Sequence, residues 1–211
     1  MKTQDEREED HLPPLKMRDN KSLIAGVDEV GKGCLFGPVF AGAVIFSKAN
    51  ELQLLSKGLK DSKKLNFRQR NYLVPLIKKN SIAWSLGQAS AREIDSIGIR
   101  LATEKAMLRA LEKLVSTPDL ILVDGIVPIS LWKGKQKTQV RGESHFPSIA
   151  AASVLAKEAR DELIKRLACK YTFYGLEQNK GYGTETHRNN LIKEGASRLH
   201  RKSFLSKIEI A

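Results

Sequence analysis

Cysteine is scarce in this chain, with Cys34 and Cys169 the two present. They show no metal-ligand spacing and are too few for a disulfide framework, so reduced thiols and a cytoplasmic location are expected. Long apolar runs are missing as well. Val39–Phe46 and Leu120–Val123 fall far short of the roughly 20 residues needed to span a bilayer, so no membrane association is expected. The opening residues, MKTQDEREEDHLPPLK, lack the apolar stretch of a secretory signal. There is no internal repeat, no low-complexity linker and no Walker A sequence. His11, His145, His187 and His200 have no spacing suited to a shared metal, and each reads as a surface or packing histidine.

What the chain has in excess is positive charge. Thirty-six Lys and Arg face 24 Asp and Glu, a formal charge of +12. Residues 1–20 carry four basic and six acidic side chains, so the surplus belongs to the rest. Residues 57–70 hold six cations and one acid, and Lys133, Lys135, Lys137 and Arg141 form a second group. Such groups suit a polyanion, although a merely solvated basic surface has the same composition. With 211 residues and 41% hydrophobic content, the chain can bury a full core.

Periodicity predicts strands over 22–28, 38–46, 81–89 and 120–124, with a further one over 137–141. Helices are expected from Asn66 as a cap to about Lys79, over 91–115, over 147–170 and from Thr184 to Glu194, where Gly195 ends the run. In the helix over 91–115 the apolar face would be Ile94, Ile97, Leu101, Leu108, Leu111 and Val115. This order implies an α/β fold, a mixed β-sheet flanked by helices, with a helical C-terminal extension. Three segments are expected: an acidic flexible tail over 1–20, a catalytic domain over 21–172 and a helical substrate-binding segment over 173–211.

Asp28 and Glu29 close the first strand and Asp124 closes the fourth. Strand ends in an α/β sheet meet at one edge, where sites form. Alternation points Asp28 and Glu29 to opposite faces unless the chain turns there, and the glycines that follow allow a turn. Converging carboxylates repel, and a hard divalent cation relieves them. Capping or turn roles for the same acids stay open. Gly31-Lys32-Gly33 resembles a dinucleotide fingerprint only superficially. That motif requires a helix next, and PVFAGAVIF reads as strand, so the glycines instead offer backbone N–H groups to a ligand. Ser148 and Ser153, early in the helix over 147–170, are placed either to meet a phosphate, with Lys157 on the same face, or to cap and pack closely.

Read together, Gly26-Val27-Asp28-Glu29-Val30-Gly31-Lys32-Gly33 and Gly37-Pro38 resemble ribonuclease HII, the type 2 ribonucleases H. The likeness continues through Leu59-Lys60-Asp61-Ser62-Lys63-Lys64-Leu65, Glu93-Ile94-Asp95 with Ala102, Ala106 and Met107, and Val123-Asp124-Gly125. It ends with Ser148 through Lys157, then Gly181-Tyr182-Gly183-Thr184 with His187, and His200-Arg201-Lys202-Ser203-Phe204. The resemblance spans about residues 22–205. It implies an RNase H-like fold and a monomeric, metal-dependent endonuclease acting on RNA–DNA hybrids and on ribonucleotides embedded in duplex DNA. It implies two Mn²⁺ or Mg²⁺ ions held by Asp28, Glu29, Asp124 and Glu143, and products with 3′-hydroxyl and 5′-phosphate ends. Gly31, Lys32 and Gly33 would read the 2′-hydroxyl, and Tyr182 would pack on the neighbouring deoxyribose. Lys63, Lys64, Arg201 and Lys202 would contact phosphates.

Two positions depart from the family pattern: Glu143 stands where aspartate is usual and Lys32 where arginine is usual. Type 3 enzymes share the Asp-Glu-Val-Gly start and the phenylalanine before Gly-Pro, here Phe36, but usually carry an extra N-terminal domain, and 27 residues precede Asp28. Type 3-like activity, a non-catalytic hybrid-binding module and a junction resolvase of the same fold are the rival readings.

Overall fold

The computed structural model describes residues 22–60, 62–206 and 208. The acidic tail expected over 1–20 lies outside them. Five strands form one sheet in the order β3-β2-β1-β4-β5. They are β1 (Ile24–Val30), β2 (Val39–Ile45), β3 (Ala83–Ala89), β4 (Leu120–Asp124) and β5 (Gln136–Gln139). The first three pair antiparallel, while β1–β4 and β4–β5 are parallel. The mixed α/β sheet expected from the sequence is therefore present.

Helices cover both faces. On one lies α1 (Lys48–Ser56), α2 (Phe67–Asn80) and α4 (Pro147–Ala168); on the other lies α3 (Ala91–Glu112). β2 is buried at every residue because its two faces meet two different helical layers. Asn66 and Ser90 begin α2 and α3 with reciprocal capping boxes, to Gln69 and Glu93. α5 (Leu176–Asn179) and α6 (Glu185–Glu194) follow, and they pack with Leu35 and Phe36 against the end of α4 at Ile164 and Ala168.

Three expectations need correction. The helix over 91–115 breaks phase at Gly98, whose φ of 79° is not helical. Beyond it the buried face becomes Ala102, Ala106, Met107, Ala110 and Leu111, leaving Leu101 exposed and Val115 past the helix end in solvent. The last strand ends at Gln139, not Arg141, because Arg141 takes a left-handed conformation with φ of 54°. α1 was not foreseen; its apolar periodicity is weak, and Ser47 starts it by capping the N–H of Asn50.

α4 can lie directly on the sheet because of what it meets there. A Cβ on Gly42 would sit 2.4 Å from the carbonyl oxygen of Ala152. Gly42 pairs with Asp28, so this close approach sits beside the acid that ends the buried part of β1.

Candidate active site

β1 and β4 run parallel with Val27 opposite Val123, so Asp28 and Asp124 follow as neighbours at the carboxyl ends of both strands. The third acid comes from the turn after β5. Arg141, in its left-handed conformation, leads into a short 3-10 turn over Gly142–Ser144 that turns Glu143 back toward the sheet. Ligand oxygens of Asp28, Asp124 and Glu143 all lie within 4.8 Å of one another. The turn is tied to the strand directly: the Gly142 N–H donates to Asp124 Oδ1 at 2.7 Å. A side chain at Gly142 would press on Asp124 Oδ1 at 3.3 Å and on Ile149 at 2.6 Å.

Asp28 is almost wholly buried. Its Oδ1 accepts from the Glu29 N–H at 2.7 Å, and Ser153 hydrogen-bonds its carboxyl. The Ser153 and Ser62 hydroxyls lie 2.8 Å apart, so Ser62 can donate to Ser153 as Ser153 donates to Asp28. Burial pushes the Asp28 carboxyl well above the usual carboxylate range, and the charges of Glu29, Asp124 and Glu143 push the same way. Lys63 pairs with Glu143 from outside, its Nζ 3.3 Å from Oε1.

Glu29 stands on the other side. β1 continues to Val30 without the turn that would swing Glu29 round, and strand alternation sends it toward the α3 face. There its Oε1 meets Lys32 Nζ at 3.2 Å, in a cleft of about 200 Å³ shared with Asp124, Arg100 and Glu104. A larger, mostly apolar cleft of about 370 Å³ opens on the Glu143 side, rimmed by Lys48, Lys60 and Lys64. The carboxylates thus lie between two openings, both edged with basic side chains.

An all-oxygen, buried, like-charged set fits a hard divalent cation and does not suit zinc or a soft metal. Asp28, Asp124 and Glu143 would hold such an ion, with Glu29 at the edge of the group.

The substrate residues expected from the sequence fare unevenly. Lys32, Gly33, Lys64 and Lys202 are exposed, and Tyr182 is 40% exposed with Lys157 Nζ 5.8 Å from its ring centroid. Lys157 also pairs with Asp161 at 2.8 Å. Ser148 and Ser153 are buried, at 1% and 4% exposure, which fits the close-packing alternative the sequence left open, and Ser153 hydrogen-bonds Asp28. Arg201 is a correction. It is wholly buried, and its guanidinium donates to the carbonyls of Gly31, Lys32 and Gly37, so it holds the glycine loop and does not reach a phosphate.

Sequence reasoning missed Arg160, equally buried, which donates to Phe36, Pro38 and Lys180 carbonyls. A signal was there: Arg160 falls on the buried stripe Ile149, Ala152, Ala156 and Ile164 at helical spacing. Asp95 was quoted without a role. It accepts from the Lys202 and Ser203 N–H groups at 3.0 and 2.9 Å and so fixes the turn that carries Lys202.

The sequence pattern of the family described as Ribonuclease HII matches residues 25–207. The chain belongs to the ribonuclease HII family. Ribonuclease HII of Prochlorococcus marinus strain NATL1A is 81% identical over 194 residues, covering 92% of this chain and 100% of that one. The crystal structure of ribonuclease H2 from Pyrococcus horikoshii OT3 superposes with a TM-score of 0.75 at 25% identity, covering 89% of this chain and 97% of that one. The structure of Bst-RNase HIII in complex with Mn²⁺ gives 0.69 at 18% identity, over 93% of this chain and 69% of that one, a likeness of fold. As a member of this family the chain is a metal-dependent endonuclease with the RNase H-like fold that the sequence implied. Among the described residues no helix is long and apolar enough to cross a membrane.

Proposed function

We propose that this member of the ribonuclease HII family hydrolyses the RNA strand of RNA–DNA hybrids and incises at single ribonucleotides in duplex DNA, leaving 3′-hydroxyl and 5′-phosphate ends. The observation that carries the reading is the convergence of Asp28, Asp124 and Glu143 within 4.8 Å at one sheet edge, on a chain of net charge +12. An acidic centre in a basic protein suits chemistry in which cations join the protein to a phosphodiester.

Two divalent ions, Mg²⁺ or Mn²⁺, would supply Lewis acidity toward the attacking water and the leaving oxygen when bound between Asp28, Glu29, Asp124 and Glu143. The Mn²⁺ in the Bst-RNase HIII complex supports that choice of metal. The chain's own groups do the rest. Ser62 and Ser153 hold the Asp28 carboxyl in place. The Gly142 N–H fixes the Asp124 rotamer and so the approach of Glu143. Lys63, beside Glu143 and largely in solvent, would meet the scissile phosphate. Lys64 and Lys202 are exposed to meet phosphates further along the duplex.

Selection of RNA rests on the 2′-hydroxyl, the one group that tells ribose from deoxyribose within a paired strand. Backbone amides of the Gly31–Gly33 loop would hydrogen-bond it. Tyr182, joined to that loop by a backbone bridge with Cys34, would pack on the next deoxyribose and favour an RNA-to-DNA junction. The segment over 173–211, which carries Tyr182 and Lys202, then forms the substrate-binding part beside the catalytic domain over 21–172.

The test is cleavage of a duplex carrying one ribonucleotide, with Mg²⁺ or Mn²⁺ and an EDTA control, the ends mapped chemically. Metal-dependent incision 5′ to the ribonucleotide, leaving 3′-hydroxyl and 5′-phosphate ends, is expected. Cutting of the all-DNA duplex at equal rate would overturn the reading.

A further inference from the structure

Gly31 and Lys32 turn their carbonyl oxygens into the protein. Arg201 Nη2 donates to Gly31 at 2.8 Å and Nη1 to Lys32 at 2.9 Å, while Nε donates to Gly37 at 2.9 Å. Arg160 holds the other half of the loop and the tyrosine turn together. Its Nη2 donates to Phe36 at 3.0 Å, its Nε to Pro38 at 3.1 Å and its Nη1 to Lys180 at 2.8 Å. The backbone closes the same joint, with Leu35 N–H on Gly181 at 2.8 Å and Arg201 N–H on Leu35 at 2.8 Å.

Two wholly buried guanidiniums are an expensive way to fill space. Among the described ion pairs none joins either one to a carboxylate; six main-chain carbonyls take their place. Apolar side chains here would leave those carbonyls without donors, so the two guanidiniums set which way the loop's peptide groups face.

The peptide group itself shows the consequence. In a trans peptide the C=O and N–H point opposite ways. The Gly31 carbonyl shares its peptide plane with the Lys32 N–H, and the Lys32 carbonyl shares its plane with the Gly33 N–H. With both carbonyls fixed on Arg201, both N–H groups must face away from it, at two residues that are exposed. A cation on the carbonyl also polarises the peptide and strengthens its N–H as a donor. The left-handed Gly31 that starts this arrangement presses on Arg160, whose Nε a Cβ there would meet at 2.1 Å.

We infer that Arg201 is a positioning residue for substrate selection: it aims the Lys32 and Gly33 amides at the ribose 2′-hydroxyl, while Arg160 keeps Tyr182 in register with them. This rests on the reading above that the loop senses the sugar.

The experiment compares kcat/KM for one duplex carrying a single ribonucleotide and for the same duplex with 2′-fluoro at that sugar, using the metal-loaded full chain and its Arg201→Lys variant. Calorimetric Mn²⁺ affinity is measured on both, since a general loss of fold would move it. The expected result is a ribo-to-fluoro ratio lowered about 10- to 100-fold in Arg201→Lys, with Mn²⁺ affinity retained. An unchanged ratio in the variant would overturn the inference and leave the sugar-sensing loop standing. A wild-type chain that does not distinguish the two sugars would remove the loop's role itself.

If Arg201→Lys does not fold, the wild type decides. In ¹⁵N-labelled protein with Ca²⁺ in place of Mg²⁺, the Lys32 and Gly33 amide resonances should shift downfield with the ribonucleotide duplex and not with the fluoro duplex. Equal shifts with both would overturn the inference.

Discussion

The Nε2 atoms of His187 and His200 lie 3.1 Å apart in the interior behind Tyr182. Neighbours settle which carries the proton. His187 Nδ1 donates to the Tyr182 carbonyl at 2.9 Å, and His200 Nδ1 accepts from the Ser197 N–H at 3.0 Å. The His200 Nε2–H therefore donates to His187 Nε2, and both rings are neutral.

Burial holds the His187 imidazole below its ordinary value, and burial together with His187 brings His200 to about 4. In the unfolded chain both titrate near 6.5. Between about 4 and 6.5 the unfolded state binds more protons, so stability is fully present above pH 6.5 and is lost as pH falls toward 4. Urea melts at pH 7, 6 and 5 should show a loss of about 1–3 kcal/mol, and His200→Phe should flatten that slope. An equal slope in wild type and variant would assign the acid sensitivity elsewhere.

Asp124→Asn keeps the side chain's shape but halves its metal-binding oxygens. Turnover on a ribonucleotide-containing duplex should fall by about 100-fold or more while duplex affinity stays within about threefold. Glu143→Asp draws the carboxylate back by one methylene from a turn already fixed by Gly142, and a loss of about 10- to 100-fold is expected. Single-turnover cleavage and anisotropy titrations read the two quantities separately. Full activity in Asp124→Asn would take Asp124 out of the site.

Gly42 separates the sheet from α4 by the width of a hydrogen atom. Ala at this position would push a methyl onto the Ala152 carbonyl, which belongs to a helix backbone and cannot rotate away. Gly42→Ala should lose about 1–3 kcal/mol in chemical denaturation, with activity falling too because Asp28 pairs with Gly42 across the strands. A neutral substitution would show that α4 is free to lift.

Salt should weaken duplex binding steeply. Between about 50 and 200 mM the logarithm of affinity should fall linearly, and Lys63→Ala, Lys64→Ala and Lys202→Ala should each reduce the slope by about one. Arg201→Lys should leave the slope as it is, since Arg201 faces carbonyls. A flat response in the wild type would remove phosphate contacts as the main source of affinity.

Asp28 and Asp124 were legible in the sequence because each follows an apolar run near the carboxyl end of its strand, and parallel neighbours bring such ends together. Glu143 was legible only by family resemblance. β5 before it is four half-buried polar residues, with no period to mark where the turn begins. The phase of α3 was misread because a left-handed Gly98 resets the helix without interrupting its helical composition. Arg160 and Arg201 were hidden for another reason. A charged side chain is read as surface unless a partner is visible, and their partners are main-chain oxygens, which every residue has and no sequence displays.

On the function proposed above, the pieces that would meet the nucleic acid are glycine-loop amides, a tyrosine ring and lysine ammonium groups. Amides and a ring that address the sugar, and ammonium groups that meet phosphates, carry no information about the base. On that reading, a nuclease gripping its duplex in this way would cut wherever the sugar is right, whatever the letters around it, and that indifference would suit ribonucleotides scattered at random along a duplex.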